Sequence, residues 1–338
     1  MAKGKSPGTK RRKHKRIWDQ VNENAGGIDA GAEFHFVGIP EESASPNVRK
    51  FATHTRGLFE LADWLIAAGV DTVAVEATGV YCIPLLEVLD ARGIEVILTK
   101  PSSLKSVNDR QKTDMADCQW IQLLHTFGLL RRSFRPSKDV ATYRTYNRHR
   151  QSLIEDASTQ IERMKKALIQ MNIRLEQAIS DVTGKTGLSI ISAILAGERD
   201  PHVLAAMRDE RCAKSEAAIA DELTGKYSAD HLFTLAQAFK TWQHLRDQVI
   251  ECNLEIEKQA ATFSKRASRE QIPPPRRKEH IRKNVLTFDA REMFFEVLGQ
   301  DLTQIDGLSV GTISAFMAEV GTNVGNFPSV KHFCSWLR

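Results

Sequence analysis

The stretch GGIDAGAEFHFVGIP, residues 26–40, carries the first strand signal of the chain. Its apolar pattern breaks at Asp29-Ala30-Gly31 and resumes with Phe34 and Phe36. Because aspartate and glycine favour turns whereas alternating apolar residues favour strands, the pattern predicts a strand, a tight turn and a returning antiparallel strand. Asp29 then lies at the end of the first strand.

Two more apolar runs follow, DTVAVEATG from Asp71 and GIEVILTK from Gly93, and the first of them ends its strand signal at Glu76. Apolar residues recur at helical spacing between the runs. They are Leu58, Leu61, Leu65 and Ile66 before the first of these two runs, and Leu85, Leu86 and Leu89 before the second. Strands that alternate with helices of about 10–15 residues predict a layered α/β domain with parallel strand pairing.

The hydrophobic period changes from about Tyr146 onward. Spacings of three and four alternate through Ile154, Ala157, Ile161, Met164, Leu168, Met171, Leu175 and Ala178. This 3.5-residue repeat predicts a coiled coil that mediates dimerisation. The alternative to this coiled coil is an ordinary helical core. A second long helical stretch, from Leu232 to Ile256, is of suitable length to fold back antiparallel on the first.

The charge is unevenly distributed. The chain of 338 residues contains 47 Lys+Arg and 42 Asp+Glu, but its first sixteen residues, MAKGKSPGTKRRKHKR, hold eight basic residues and no acid. The rest of the chain therefore has a net charge of −3, which excludes a body that is basic throughout. The tail residues predicted to contact nucleic-acid phosphates are Lys10, Arg11, Arg12, Lys13, Lys15 and Arg16. A disordered solubilising arm is the alternative.

A second basic segment runs from Lys265 to Lys283 around three consecutive prolines. Proline removes backbone donors and interrupts helices, so we expect a basic linker there. Further predicted phosphate contacts are Lys112, Arg276, Arg277 and Lys278. Residues 302–311 then resemble a helix-hairpin-helix turn whose backbone amides can hold a phosphate, although Ser309 stands where a second glycine is expected.

Four carboxylates stand out by their position. Asp29 and Glu76 end two strands, and Asp114 with Asp117 opens a helix, where residues three apart share one face. If the strands are neighbours, the four acids converge and suit Mg²⁺ or Mn²⁺, the ions that catalyse phosphoryl transfer in nucleic acids. Singly, Asp29 is explained by its turn and Asp114 by the start of its helix.

Three motifs, GIDAG, VEATGVY and VNDRQKTDMADC, together resemble the Asp-Glu-Asp-Asp transposases of bacterial insertion sequences. The helical middle and the segment from Ile305 to Arg338 are similar to the family's later regions. The resemblance implies a RuvC-like, ribonuclease-H-type nuclease domain, with Asp29, Glu76, Asp114 and Asp117 as catalytic acids that bind Mg²⁺ or Mn²⁺. It also implies donor and target DNA and a guide RNA (bridge or seek RNA) as partners, with a homodimer or homotetramer as the assembly.

In that family a serine beyond the F-x-S…W-L stretch attacks DNA. Ser309, Ser314, Ser329 and Ser335 do not match its position, so we expect the chain to be truncated ahead of its nucleophile and inactive in strand transfer by itself. The expected organisation is a basic tail (1–24), a RuvC-like α/β domain (25–145), a helical coiled-coil region (146–260), a basic linker (261–285) and a partial helical transposase domain (286–338).

Other classes of protein fit less well. An actin-like or sugar-kinase ATPase also begins with a strand ending in Asp-x-Gly, but no second glycine-rich phosphate turn follows Gly93. A non-catalytic nucleic-acid-binding module and a Mg²⁺-dependent nuclease or junction resolvase stay open as alternatives. No run of about eighteen apolar residues, secretory signal or CxxC pair is found, so we expect a cytoplasmic, nucleoid-associated protein without membrane spans, disulfides or structural zinc.

Overall fold

A computed structural model describes residues 19–76, 79–99, 113–276 and 283–337. The chain divides into two compact units, Met1–Arg135 and Pro136–Arg338. The expected phosphate contacts Lys10 to Arg16, Lys112, Arg277 and Lys278 lie outside the described residues. Among the helices that are described, none is both long and apolar enough to cross a membrane.

The first unit contains a mixed five-stranded sheet. Its strands are β1 (Ala25–Ala30), β2 (Phe34–Gly38), β3 (Val48–Ala52), β4 (Thr72–Glu76) and β5 (Glu95–Thr99). They lie in the order β3-β2-β1-β4-β5. β1 pairs antiparallel with β2 and parallel with β4, which in turn pairs parallel with β5. The predicted strand, turn and returning strand are confirmed, and so is the parallel pairing.

Among the described residues of this unit, three helices accompany the sheet: α1 (Thr55–Ala67), α2 (Cys82–Ala91) and α3 (Asp114–Thr126). One core of this unit joins α1 and α2 to the strands through buried side chains such as Leu61, Leu89, Ile28 and Val75. These leucines are the ones whose helical spacing the sequence displayed. Burial of their apolar surface is what drives the helices onto the sheet.

The sequence pattern did not reveal β3. Its segment, VRKFA, places the exposed Arg49 and Lys50 before the buried Phe51. β3 is the edge strand of the sheet and pairs only with β2 among the described strands. Charged side chains are common on edge strands, where they discourage pairing with other chains, and they hide the apolar alternation on which strand prediction depends.

The second unit is helical and is built around two 33-residue helices, α4 (Lys138–Gln170) and the later α9 (Ala229–Ala261). Between them lie α5 (Leu175–Ala178), α6 (Lys185–Ala196), α7 (Pro201–Ala205) and α8 (Glu216–Leu223). The long helices are antiparallel, because Arg150 Nε donates to Asn253 Oδ1 at 2.7 Å whereas Gln259 Nε2 donates to the Asp139 carbonyl at 3.3 Å. α4 begins at Lys138, so the helical unit starts earlier than the expected boundary at 145/146.

The heptad stripe is interrupted. α4 ends at Gln170, and Asn172 adopts a left-handed φ of 56°, which stops the helix. Leu175 and Ala178 therefore belong to the separate short helix α5. The buried stripe residues pack in one core with Phe239 and Trp242 of α9. The stripe is thus covered by the chain's own second long helix, as in the alternative reading, and no continuous helix spans 154–178.

The basic segment after α9 is bonded to the helix that follows it, α10 (Ala290–Leu298). Lys265 Nζ lies 3.1 Å from Glu296 Oε2, and Arg269 forms ion pairs with Asp289 and Glu292. The part of the expected 261–285 linker that is described is therefore packed rather than free. Two further helices close the chain, α11 (Val310–Val320) and α12 (Val330–Trp336).

Candidate acidic site at the strand ends

Two glycines allow α3 to lie directly on the sheet. A Cβ atom on Gly27 of β1 would meet Gln122 N at 2.2 Å and Cys118 O at 2.4 Å, both in the backbone of α3. Gly38 is paired with Gly27 across β1 and β2, and its Cβ would come within 3.2 Å of Cys118 O. Since no side chain fits in this gap, glycine at these positions is what brings the helix backbone against the strands.

The carboxyl-terminal end of α3 is tied to the beginnings of the strands. His125 Nε2 lies 3.0 Å from Thr72 Oγ1 at the start of β4, and Asn22 Nδ2 donates to the His125 carbonyl at 2.7 Å. Burial lowers the pKa of His125, which favours the neutral form of the ring. α3 therefore runs antiparallel to β1 and β4, and its first turn lies toward their carboxyl ends.

The strand register aligns three polar residues in a row. Ile28 of β1 pairs with Val75 of β4, so the next residues along these parallel strands are Asp29 and Glu76. Glu76 pairs in turn with Thr99 of β5. Paired residues project from the same face of a sheet. Asp29 follows Gly27 by two residues, so this shared face is the one that α3 covers.

The first turn of α3 supplies the other two acids. Thr113 caps the helix, because its hydroxyl accepts a hydrogen bond from Ala116 N at 3.2 Å. The cap is thus the threonine, and the Asp114 carboxylate is not needed for that role. Asp114 is exposed and Asp117 is half-buried, three residues further along the same helix.

Burial and neighbouring acids perturb the Asp29 carboxyl. Its half-buried position raises its pKa from the ordinary 3.8 to about 6, with burial as the largest cause, followed by the negative charges of Glu76 and then Asp114. No ion pair to Asp29 is found in the described part of the chain. Three of the four acids singled out in the sequence therefore interact electrostatically.

The site is not a closed cage for a metal ion. Within residues 19–76, 79–99, 113–276 and 283–337, no three acidic, histidine or cysteine side chains already converge as metal ligands. The donor chemistry nevertheless fits a hard cation, because the row offers carboxylate and hydroxyl oxygens and no sulfur. Mutual repulsion at Asp29 is also the electrostatic state that a bound cation would relieve.

Sequence reasoning missed two residues of the acid row, the row of paired residues across the sheet that contains Asp29 and Glu76. Thr99 ends the EVILT strand and resembled an ordinary strand residue, although its place after a buried run matches that of Glu76. Lys50 of β3 pairs with Phe36 of β2, and Phe36 pairs in turn with Asp29 of β1. The Lys50 Nζ lies 4.1 Å from the centre of the Phe34 ring. Only the register of the unrecognised strand β3 reveals that this exposed cation belongs to the row.

Arg276 is the one predicted nucleic-acid contact within the described residues. Its Nη1 donates to the Gln304 carbonyl at 3.0 Å and lies 3.6 Å from Asp306 Oδ2. The guanidinium remains half exposed, but it is held against the turn before α11. In that turn Gly307 has a φ of +90°, and Ser309 caps α11 by accepting from Thr312 N, which explains a serine in place of a second glycine.

Comparison with known proteins gives one family. Residues 26–173, which are less than half of the chain, match the family model DEDD_Tnp_IS110, described as a transposase. The matched region contains the five strands, apart from Ala25 at the start of β1, together with α1, α2, α3 and the whole of α4. No curated protein matches the chain. Residues 26–173 are therefore similar to a transposase domain.

Proposed function

We propose that this protein is a DNA transposase of a bacterial insertion sequence that uses Asp29, Glu76, Asp114 and Asp117 to bind Mg²⁺ or Mn²⁺ at the DNA phosphate. One observation carries the proposal: Asp29 and Glu76 end neighbouring parallel strands beneath the first turn of α3, inside the segment that matches the transposase model. The strand order β3-β2-β1-β4-β5 supports the ribonuclease-H-like, RuvC-like fold that the resemblance implies.

The acids prepare the site electrostatically. At neutral pH a carboxyl with a pKa of about 6 is mostly ionised, so Asp29 holds a negative charge beside Glu76 and Asp114. This cluster repels the DNA backbone until a cation is present. A bound divalent cation supplies charge that stabilises the attacking and leaving oxygens at the phosphate. DNA binding at this site therefore depends on the cation.

The proposed strand exchange also needs a nucleophile. Ser309 and Ser329 accept hydrogen bonds at the starts of α11 and α12, and the buried Ser314 Oγ lies 2.8 Å from Tyr143 Oη. These hydroxyls have structural roles, so we assign the nucleophile's role to none of them. A serine attack that forms a covalent phosphoserine would conserve the phosphodiester energy for rejoining. A guide RNA, bound through the basic segments, completes the proposal.

The test compares binding of a four-way DNA junction and a linear duplex with and without Mg²⁺. We expect Mg²⁺ to strengthen junction binding by the protein and to have little effect on Asp114→Asn or Asp117→Asn. Asp71→Asn is the matched control, because this exposed carboxylate precedes β4 at the opposite end of the strand.

Other outcomes point to the alternatives. Binding that is equally strong with and without Mg²⁺ in all variants would contradict the metal-dependent site and favour a non-catalytic nucleic-acid-binding module. Mg²⁺-dependent cutting without rejoining, when the chain is supplied with its flanking RNA and element DNA, would favour a nuclease or junction resolvase.

A further inference from the structure

We propose that the Thr99 hydroxyl is a fifth group of the acidic site, which donates a hydrogen bond to an oxygen atom held by the bound cation. That oxygen belongs either to a water molecule or to a DNA phosphate. The inference rests on the proposed function and deepens it, because it adds a positioning residue that is neither an acid nor part of α3.

Thr99 lies beside the acids in the sheet. Thr99 pairs directly with Glu76, and the register places Asp29 on the other side of Glu76. Adjacent strands lie about 4.7–4.9 Å apart. One oxygen atom placed between two neighbouring side chains on the same face can therefore contact both of them. The three residues form a continuous polar row at the carboxyl ends of β1, β4 and β5.

The Thr99 hydroxyl has no hydrogen-bond partner among the described residues. Thr99 is 0% exposed, and its Oγ1 makes no hydrogen bond. Buried hydroxyls are nearly always bonded, and an exception in a folded protein calls for a ligand, a water or a catalytic role. The same strand carries Val96, Ile97 and Leu98, so a valine of nearly the same shape would suit the position without the unpaired oxygen.

Other unpartnered buried hydroxyls are less informative. The Ser133 hydroxyl is also buried without a hydrogen bond, but this residue lies beyond α3 in sequence, and its backbone N donates to the Leu98 carbonyl of β5 at 2.7 Å. It is not in register with an acid. This contrast makes Ser133→Ala a control for the general effect of removing an unpaired hydroxyl from the same neighbourhood.

The experiment compares Thr99→Val, Thr99→Ser and Ser133→Ala with the unmodified chain. The apo Tm is measured first, and then the Mn²⁺ concentration that gives half of the metal-induced Tm shift. A second series measures Mn²⁺-dependent binding of the DNA junction. A hydrogen bond to an ion-bound oxygen predicts a loss of about tenfold or more for Thr99→Val in at least one series.

We expect Thr99→Val to keep or raise the apo Tm while it weakens the metal response, and Thr99→Ser to retain that response. A loss with Mn²⁺ alone identifies a water as the acceptor, whereas a loss only with DNA identifies the phosphate. An unchanged response of Thr99→Val in both series would overturn the inference, as would a Thr99→Val variant that fails to fold. If Asp29→Asn also leaves the protein's metal response unchanged, the proposed function fails as well, so the two failures are distinguishable.

Discussion

Two buried or half-buried aspartates illustrate how differently this chain treats a carboxylate. In the second unit, the Asp301 side chain is 2% exposed and forms an ion pair with Arg291. It also accepts hydrogen bonds from Thr303 and from Gln304 Nε2. Burial alone would raise its pKa, but these bonds outweigh burial and lower it.

In the first unit, the half-buried Asp29 has a pKa that is raised to about 6, and its electrostatic neighbours are acids. The opposite pKa shifts indicate different roles for the two aspartates. Asp301 stabilises the turn between α10 and α11, whereas Asp29 is held in a state that folding alone does not favour. Groups of that kind cluster at functional sites.

The largest expected effect is on stability, from Asp301→Ala. Removal of this carboxylate leaves the Arg291 guanidinium, whose side chain is 15% exposed, without its anion, and should cost about 3–5 kcal/mol in the free energy of unfolding. Urea denaturation measures it. The control is Asp289→Ala, which removes a carboxylate with 83% side-chain exposure and should cost about 0–1 kcal/mol. Equal costs would remove the structural half of the comparison.

Gly27→Ala should have the next largest effect. A methyl group there must displace the backbone of α3 at Cys118 and Gln122, and overpacking of this kind costs about 1–3 kcal/mol or more. Because α3 carries Asp114 and Asp117, the metal-induced Tm shift should fall too. Gly311→Ala in α11 is the control, since its Cβ meets nothing closer than 3.8 Å. A stable Gly27→Ala variant with a normal metal response would contradict the close packing of α3.

The two aspartates should also respond oppositely to pH. Asp29 has a raised pKa, so its stabilising contribution is full below about pH 3.8 and is lost as the pH rises through about 6. Without metal, Asp29→Asn should therefore gain Tm over the unmodified chain between pH 4 and 6 and keep the gain above it. Asp301, with a lowered pKa, stabilises above pH 3.8 and loses its contribution as the pH falls below that value. Parallel Tm curves for the Asp29→Asn variant and the unmodified chain would contradict the raised pKa.

The smallest expected effect on stability comes from the basic residues. Arg276→Gln should leave Tm nearly unchanged and weaken nucleic-acid binding only slightly, because its guanidinium already contacts Gln304 and Asp306. Deletion of residues 1–16 removes eight cations and should flatten the salt dependence of binding more strongly, by about 0.9 in slope for each lost duplex contact. An identical salt titration after the deletion would show that the tail makes no contacts.

The sequence predicted much of the first unit, because its information there is local. Apolar alternation with Asp29-Ala30-Gly31 indicated the hairpin, and Asp29 and Glu76 were recognised near the ends of two strand signals. What it did not reveal depends on register. Thr99 and Lys50 belong to the acid row only because β5 and β3 pair where they do, and strand pairing is a long-range property.

The helical unit shows the opposite limit of sequence reasoning. A 3.5-residue repeat indicates that one stripe of a helix is buried, but it does not indicate which helix packs against that stripe. Here Met164 and Leu168 pack with Phe239 and Trp242 of the same chain. The break at Asn172 is a single backbone conformation that the apolar spacing cannot express. Oligomerisation through this stripe therefore loses its support in the sequence, and the assembly stays a prediction.

The central claim is that Asp29 belongs to a cation-binding site, and thermal unfolding with and without Mn²⁺ tests it most directly. At pH 7.5 the Tm of the unmodified chain should rise with the Mn²⁺ concentration, because a ligand that binds the folded state stabilises it. Asp29→Asn should start from a higher Tm without metal and gain little, whereas Asp71→Asn should respond like the unmodified chain. Equal Mn²⁺-induced shifts in all three proteins would contradict the account.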